Sequence, residues 1–110
     1  MREIDESISE KEFEQQVHDL ARLLGYKYYH TYRSKFSEAG FPDCTLVREN
    51  DDGTARLLIF ELKAEKGKVS AAQQGWLDLL GKVQGVGVYL FRPSDWPEIV
   101  EILQRKEARK

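Results

Sequence analysis

The sequence has one cysteine, Cys44, and no apolar run long enough to cross a membrane. A lone cysteine cannot form an internal disulfide, and no cluster of cysteine and histidine is present to hold zinc. A membrane-spanning helix needs about 20 apolar residues, and the opening segment, residues 1–6, lacks the apolar stretch of a secretory signal. These absences exclude disulfide scaffolds, zinc modules and membrane proteins, and we expect a cytoplasmic, intracellular protein.

The 110 residues are 41% hydrophobic and 33% charged, which is enough for one core and predicts a single small domain. The net charge of −2 argues against a simple polyphosphate binder. Acidic residues predominate in residues 1–20 and 43–62, whereas basic residues predominate in 21–42 and 63–92. This distribution suits an acidic pocket ringed by positive surface, although ordinary solvated helix faces would produce it too.

Three helices are indicated by capping residues and apolar spacing. Ser9 with Glu12 forms the pattern of a capping box ahead of a helix that ends near residue 25. Ser70 with Gln73 repeats that pattern for a second helix, which ends near residue 81. A third helix opens at Asp95, and the polar tail, residues 104–110, is expected to fray.

Four strands are indicated between these helices, at residues 26–33, 42–48, 55–63 and 86–91. A loop is expected at 34–41 and a hairpin turn at 50–53. The third strand is strongly apolar and therefore central, and the fourth also has the composition of a buried strand. The predicted order is α-β-β-β-α-β-α, an α/β fold.

Chemistry-bearing residues collect where the second strand begins and the third ends. Asp43 follows Pro42, whereas Glu61 and Lys63 lie two residues apart and so point to the same side of the sheet. Because a hairpin joins the two strands, two carboxylates and one ammonium should meet. Paired carboxylates suit Mg²⁺ or Mn²⁺, and the lysine could orient or deprotonate an attacking water and offset charge on a phosphate.

The motifs together resemble a known family. Pro42-Asp43, followed by Glu61-Leu62-Lys63, resembles the PD-(D/E)XK nuclease superfamily, whose αβββαβ core has a central mixed sheet flanked by helices. The motifs around them resemble the VRR-NUC (virus-type replication-repair nuclease) domain over about residues 9–103. They are Gly40-Phe41-Pro42-Asp43, Gly67-Lys68-x-Ser70-x-x-Gln73-x-x-Trp76-Leu77 and Tyr89-Leu90-Phe91-Arg92-Pro93-Ser94-Asp95. Cys44 departs from the leucine common after the motif aspartate, and as a small hydrophobe it leaves the catalytic pattern intact.

The resemblance implies roles for individual residues. It makes Asp43 and Glu61 metal ligands, the backbone carbonyl of Leu62 a further ligand, and Lys63 the catalytic lysine. It also brings Gln73 towards the active site, although that residue equally suits the capping of the second helix, and both roles can hold.

The superfamily also places a glutamate of the first helix in the site. Glu10 and Glu14 compete for this role, because they lie four residues apart on one helix face. Glu10 fits the VRR-NUC pattern and is preferred, whereas Glu14 fits the spacing of archaeal-type junction resolvases.

DNA contacts are expected from basic residues that flank the motifs, namely Arg33, Lys35, Lys66 and Lys68. Solvated surface charge explains these four equally well. The tyrosines at 28, 29 and 32 could stack on unpaired bases, although half-buried sheet aromatics are the simpler interpretation.

The resemblance implies a Mg²⁺-dependent, structure-selective DNA endonuclease of the stand-alone phage or bacterial type, a Holliday-junction resolvase acting as a homodimer on branched DNA. Trp76, Leu79, Tyr89 and the first helix, with its charges of both signs, are candidate surface for the dimer, although the aromatics could equally belong to the core. The alternatives are a flap or 5′-end nuclease, the activity associated with the larger eukaryotic Fanconi-anaemia-associated nuclease, a sequence-specific restriction-type enzyme, and a non-catalytic DNA-binding module on a nuclease fold. The presence of Asp43, Glu61 and Lys63 together argues against the non-catalytic module.

Overall fold

The computed structural model describes residues 8–32 and 35–105. A single 3₁₀ turn, Pro93–Asp95, precedes the last helix. The helices and strands, in chain order, are α1 (Glu10–Leu23), β1 (Lys27–His30), β2 (Cys44–Glu49), β3 (Ala55–Leu62), α2 (Ala71–Leu80), β4 (Val86–Phe91) and α3 (Trp96–Gln104).

The four strands form one mixed sheet in the order β1-β2-β3-β4. β2 runs antiparallel to β1 and to β3, whereas β4 is parallel to β3 and is reached through α2. The predicted α/β fold, a central mixed sheet with flanking helices, is confirmed.

Both predicted capping boxes are formed. The Ser9 hydroxyl accepts a hydrogen bond from the Glu12 N–H at 3.0 Å, and the Glu12 carboxylate accepts one from the Ser9 N–H at 2.9 Å. Ser70 and Gln73 make the same reciprocal pair at the start of α2, at 3.1 and 2.9 Å. Each pair satisfies backbone donors that a helix start leaves open, so both helices begin where the sequence indicates.

The core lies on one face of the sheet, where α1 and α3 pack. Phe60 and Leu62 of β3 join Phe13 of α1 and Ile99 of α3 in this core, and all four side chains are fully buried. Because side chains alternate along a strand, Glu61 lies on the opposite face. The core packing therefore positions β3 so that its acidic residue points away from the apolar layer.

The first strand is shorter than predicted. Tyr26 packs in the core and its hydroxyl donates to the Leu103 carbonyl at 3.1 Å, and the strand begins only at residue 27. Beyond the last residue of β1, the Thr31 N–H donates to the Asp43 carbonyl at 2.7 Å. The register would then place Pro42 opposite the residue after Thr31. Proline has no N–H to continue the ladder, which explains why β1 and β2 pair regularly only up to His30 and Cys44.

One further prediction changes at the sheet edge. β4 is half-buried rather than buried, with only Phe91 fully enclosed, because it is the last strand of the described sheet. The predicted fraying at 104–110 falls mostly on residues 106–110, which lie outside the described part.

Among the described residues, no helix has both the length and the apolar character that crossing a membrane requires.

Candidate active site

The β2–β3 hairpin brings Asp43, Glu61 and Lys63 together. Cys44 pairs with Phe60, so Asp43 lies across from Glu61 one position further on. The Asp43 carboxylate accepts a hydrogen bond from the Leu62 N–H at 2.7 Å, which fixes it against β3. The Lys63 ammonium lies 3.7 Å from a Glu61 carboxylate oxygen. The adjacency expected from the hairpin is therefore what the structure shows.

Glu61 is the most unusual side chain of this group. It is 1% exposed, and neither carboxylate oxygen has a hydrogen-bond partner among the described residues. Burial and the negative charge of Asp43 together raise its pKa to about 7, although the positive charge of Lys63 opposes them. A buried carboxylate without donors is costly, and a bound cation is one of the few arrangements that stabilise it.

Both candidate glutamates of α1 approach the same place. Carboxylate oxygens of Glu10, Glu14 and Asp43 lie within 4.8 Å of one another, and all three side chains are half-buried. Burial raises the pKa of Glu14 to about 7, with the charges of Asp43 and Glu10 adding to the effect. Burial also raises the pKa of Asp43, although the Leu62 N–H and the Lys63 charge act against it. The preference for Glu10 over Glu14 stays a prediction, because the structure brings both to Asp43.

The donor set fits a hard divalent cation. The cluster offers carboxylate oxygens, which Mg²⁺ and Mn²⁺ prefer. Burial raises the pKa values of Asp43, Glu61 and Glu14, so their charged forms are poorly solvated and a bound cation would stabilise them. Asp43, Glu10 and Glu14 offer ligand oxygens close enough together to hold such an ion, whereas Glu61 is not part of that group and its role as a ligand stays a prediction. A role for the Leu62 carbonyl stays a prediction.

A pocket of about 800 Å³ opens beside this cluster. Asp43 and Lys63 line it from the sheet, and Lys68 and Gln73 line it from the start of α2. Gln73 thus caps α2 and also borders the pocket, while its proposed part in the chemistry stays a prediction. Of the carboxylates in the cluster, Asp43 lines the pocket, and Glu61, Glu10 and Glu14 do not.

The sequence matches the VRR-NUC domain family over residues 3–94, more than four fifths of the chain. The chain belongs to the VRR-NUC family. The match includes α1, all four strands and the residues of the cluster, and a VRR-NUC domain implies a nuclease. No curated protein and no solved structure matches the chain.

The basic residues predicted to contact DNA differ in their placement within the VRR-NUC domain. Lys66 and Lys68 are exposed on the segment after Lys63. Lys35 is exposed before the motif aspartate, with its ammonium 5.4 Å from the centre of the Phe36 ring. Arg33 lies outside the described residues. Contact with DNA stays a prediction for all four.

A residue that the sequence reasoning missed holds the segment directly after Lys63. The Arg92 guanidinium donates to the carbonyls of Ala64, Glu65 and Gly67 at 2.9, 3.1 and 2.7 Å. The Glu65 carboxylate accepts from the N–H and hydroxyl of Ser94 at 2.9 and 2.7 Å. These bonds tie the VRR-NUC lysine motif to the end of β4. The sequence shows an arginine after the last strand, and only the fold reveals that backbone carbonyls are its acceptors.

Proposed function

We propose that this VRR-NUC domain, with its core at about residues 9–103, is a Mg²⁺- or Mn²⁺-dependent, structure-selective DNA endonuclease that cuts four-way junctions as a homodimer. The observation that carries the proposal is Glu61, a fully buried carboxylate whose oxygens have no hydrogen-bond donor among the described residues, beside Asp43 and Lys63. If this position were only structural, a neutral side chain would be more stable there, because burying a charge is costly.

The residues of the cluster have distinct roles in this proposal. Asp43 and Glu61, with Glu10 or Glu14, hold the ion, which when bound neutralises phosphate charge and makes water a better nucleophile. Lys63 is 7% exposed and lies within 4 Å of Glu61, so its ammonium is held at the carboxylates rather than in solvent. There it orients the attacking water and offsets charge that develops on the phosphate.

Branched DNA is proposed as the substrate because it matches the symmetry and the space available. A two-fold dimer places two active sites on a two-fold junction, and Leu79 and Val83, 63% and 50% exposed, supply apolar surface for it. Trp76 and Tyr89, which the sequence also suggested, are half-buried against other rings. The net charge of −2 is compatible with DNA, since each bound cation reverses the local sign.

A flap or 5′-end nuclease is the alternative. It is supported by the pocket beside Asp43, which an unpaired strand end could enter. The cytoplasmic location and the phage or bacterial source stay predictions.

The experiment compares end-labelled four-way junction, flap and linear duplex DNA, each with Mg²⁺ and with EDTA. We expect paired cuts in the junction with Mg²⁺ and none with EDTA, and loss of cutting in Lys63→Ala. Lys27→Ala is the matched control, because Lys27 is exposed and does not line the pocket. Cleavage of flaps alone would support the alternative, and cleavage in EDTA would contradict metal dependence.

A further inference from the structure

The pocket beside the cluster extends well beyond the carboxylates. Tyr29, Thr31 and Thr45 line it from the face of β1 and β2 that is opposite the core, and Trp76 lines it from α2. α2 packs against β4, at the edge of the sheet opposite β1. The space between α2 and the first two strands is therefore left open, directly beside Asp43.

Aromatic rings line this open space from both sides. Tyr29 and Tyr32 at the β1 end are 62% and 74% exposed. Phe41 and Trp76 line it from the loop and the helix, and their rings meet edge to face with centroids 5.0 Å apart. Exposed tyrosines of this kind are not explained by the core, in contrast to Tyr28, which packs against it.

The wall formed by the loop and α2 is built rigidly. The Trp76 ring nitrogen donates to the Ala39 carbonyl at 3.0 Å, which fixes the ring. Gly40 has a φ of +92°, and a Cβ there would lie 2.6 Å from the Ala72 carbonyl carbon, so only glycine allows this approach of the loop to the helix. The pocket is therefore preformed on this side.

Charge in the pocket indicates where a phosphate would lie. Lys63 and Lys68 line the same space as the four rings, next to Asp43. A DNA phosphate held beside Asp43, by Lys63 and by an ion that Asp43 would bind, would place its neighbouring nucleoside in the pocket. The flat faces of nucleobases stack on aromatic side chains without regard to sequence, and the combination of lysines and rings favours a nucleotide over an apolar peptide or a lipid.

We infer that this pocket binds an unpaired nucleobase of the cut strand, at the nucleotide next to the scissile phosphate. The inference rests on the proposed function for the position of that phosphate. A base inside an intact duplex enters such a pocket only after it unstacks and unpairs. Bases at branch points and strand ends unpair more easily than bases inside a duplex, so a pocket for an unpaired base would favour branched DNA over linear duplex.

The test measures binding rather than cleavage. Fluorescence anisotropy measures the affinity for two labelled strands in Ca²⁺, and a gel verifies that the DNA stays uncut. One strand is an oligothymidine of about eight nucleotides, and the other has the same number of phosphates but no bases. We expect wild type to bind the strand with bases about 10-fold more tightly. Tyr32→Ala should remove that difference and leave affinity for the abasic strand unchanged.

Leu23→Ala is the control, because Leu23 is 81% exposed and lies on α1 away from the pocket lining. It should keep the preference for bases, and thermal melts should show all three proteins equally folded. Equal affinity of wild type for both strands, or equal behaviour of the Tyr32 and Leu23 variants, overturns the inference. If the protein prefers the strand with bases but cleaves no DNA, the proposed function is wrong and the inference about the pocket stands. If it cleaves DNA without that preference, the inference is wrong and the proposed function stands.

Discussion

Glu61→Gln should make the metal-free protein more stable while it removes metal binding. Glutamine keeps the size of the side chain and removes a buried charge that accepts no hydrogen bond from a described residue and is offset only in part by Lys63, 3.7 Å away. The pKa of Glu61 is about 7 in the folded protein against 4.5 for an ordinary glutamate. Between those two pH values the folded state binds a proton that the unfolded state has released, so stability falls as the pH rises through this window.

The size of the effect follows from the same shift. One pKa unit corresponds to about 1.4 kcal/mol, so the ionised carboxylate costs up to about 3 kcal/mol above pH 7, shared with Asp43, whose charge contributes to the shift. We expect the glutamine variant to gain about 2 kcal/mol at pH 8, which is roughly 10 °C in Tm for a domain of this size. Below the unfolded pKa the carboxylate is neutral in both states, and the gain should vanish.

Thermal and urea unfolding in EDTA at pH 4 and pH 8 measure this directly. Glu98→Gln is the matched control, because Glu98 is exposed on α3, and it should change stability little at either pH. Addition of Mg²⁺ at pH 8 should stabilise wild type, by about 2.7 kcal/mol at a concentration 100 times Kd, and not Glu61→Gln. The reasoning is refuted if Glu61→Gln is less stable than wild type in EDTA at pH 8, or if its gain is the same at both pH values.

Three further outcomes are expected. Glu10→Gln should slow junction cleavage at least ~10-fold, about 1.4 kcal/mol of barrier, and Glu14→Gln should slow it less; the reverse order would make Glu14 the site glutamate. Arg56→Met should lower the free energy of unfolding by about 2 kcal/mol, because the buried guanidinium donates to the Ile102 carbonyl at 2.8 Å. The cleavage rate should change little, because this bond is far from the cluster. Unchanged urea unfolding would contradict this prediction. Sedimentation at micromolar concentration should show a homodimer, and a monomer that cuts only flaps would favour the alternative function.

Features determined by neighbouring residues were predictable from the sequence. The capping boxes at Ser9 and Ser70 depend on residues three positions apart, and the central position of β3 follows from its apolar run. Features that depend on distant partners were not. One example is the burial of Tyr26 in the core, where its hydroxyl bonds to Leu103, 77 residues away.

The candidate site also has parts that could be predicted from the sequence and parts that could not. The hairpin fixes the register that places Asp43 beside Glu61 and Lys63, so their adjacency could be expected. The approach of Glu10 and Glu14 depends on the rotation of α1 over the sheet, which apolar spacing does not define closely enough to choose between residues one helical turn apart. The Arg92 bonds and the aromatic pocket join segments far apart in the chain, and only the folded structure shows them.

The central claim is that Asp43 and Glu61 hold a divalent cation for phosphodiester cleavage. The rate of four-way junction cleavage in Mg²⁺ by Asp43→Ala, compared with wild type and with Glu98→Ala, tests it most directly. The account predicts a fall of at least ~1000-fold, about 4 kcal/mol of barrier, with the fold intact by circular dichroism and wild-type rates in the control. A folded Asp43→Ala protein that cuts at the wild-type rate would contradict it.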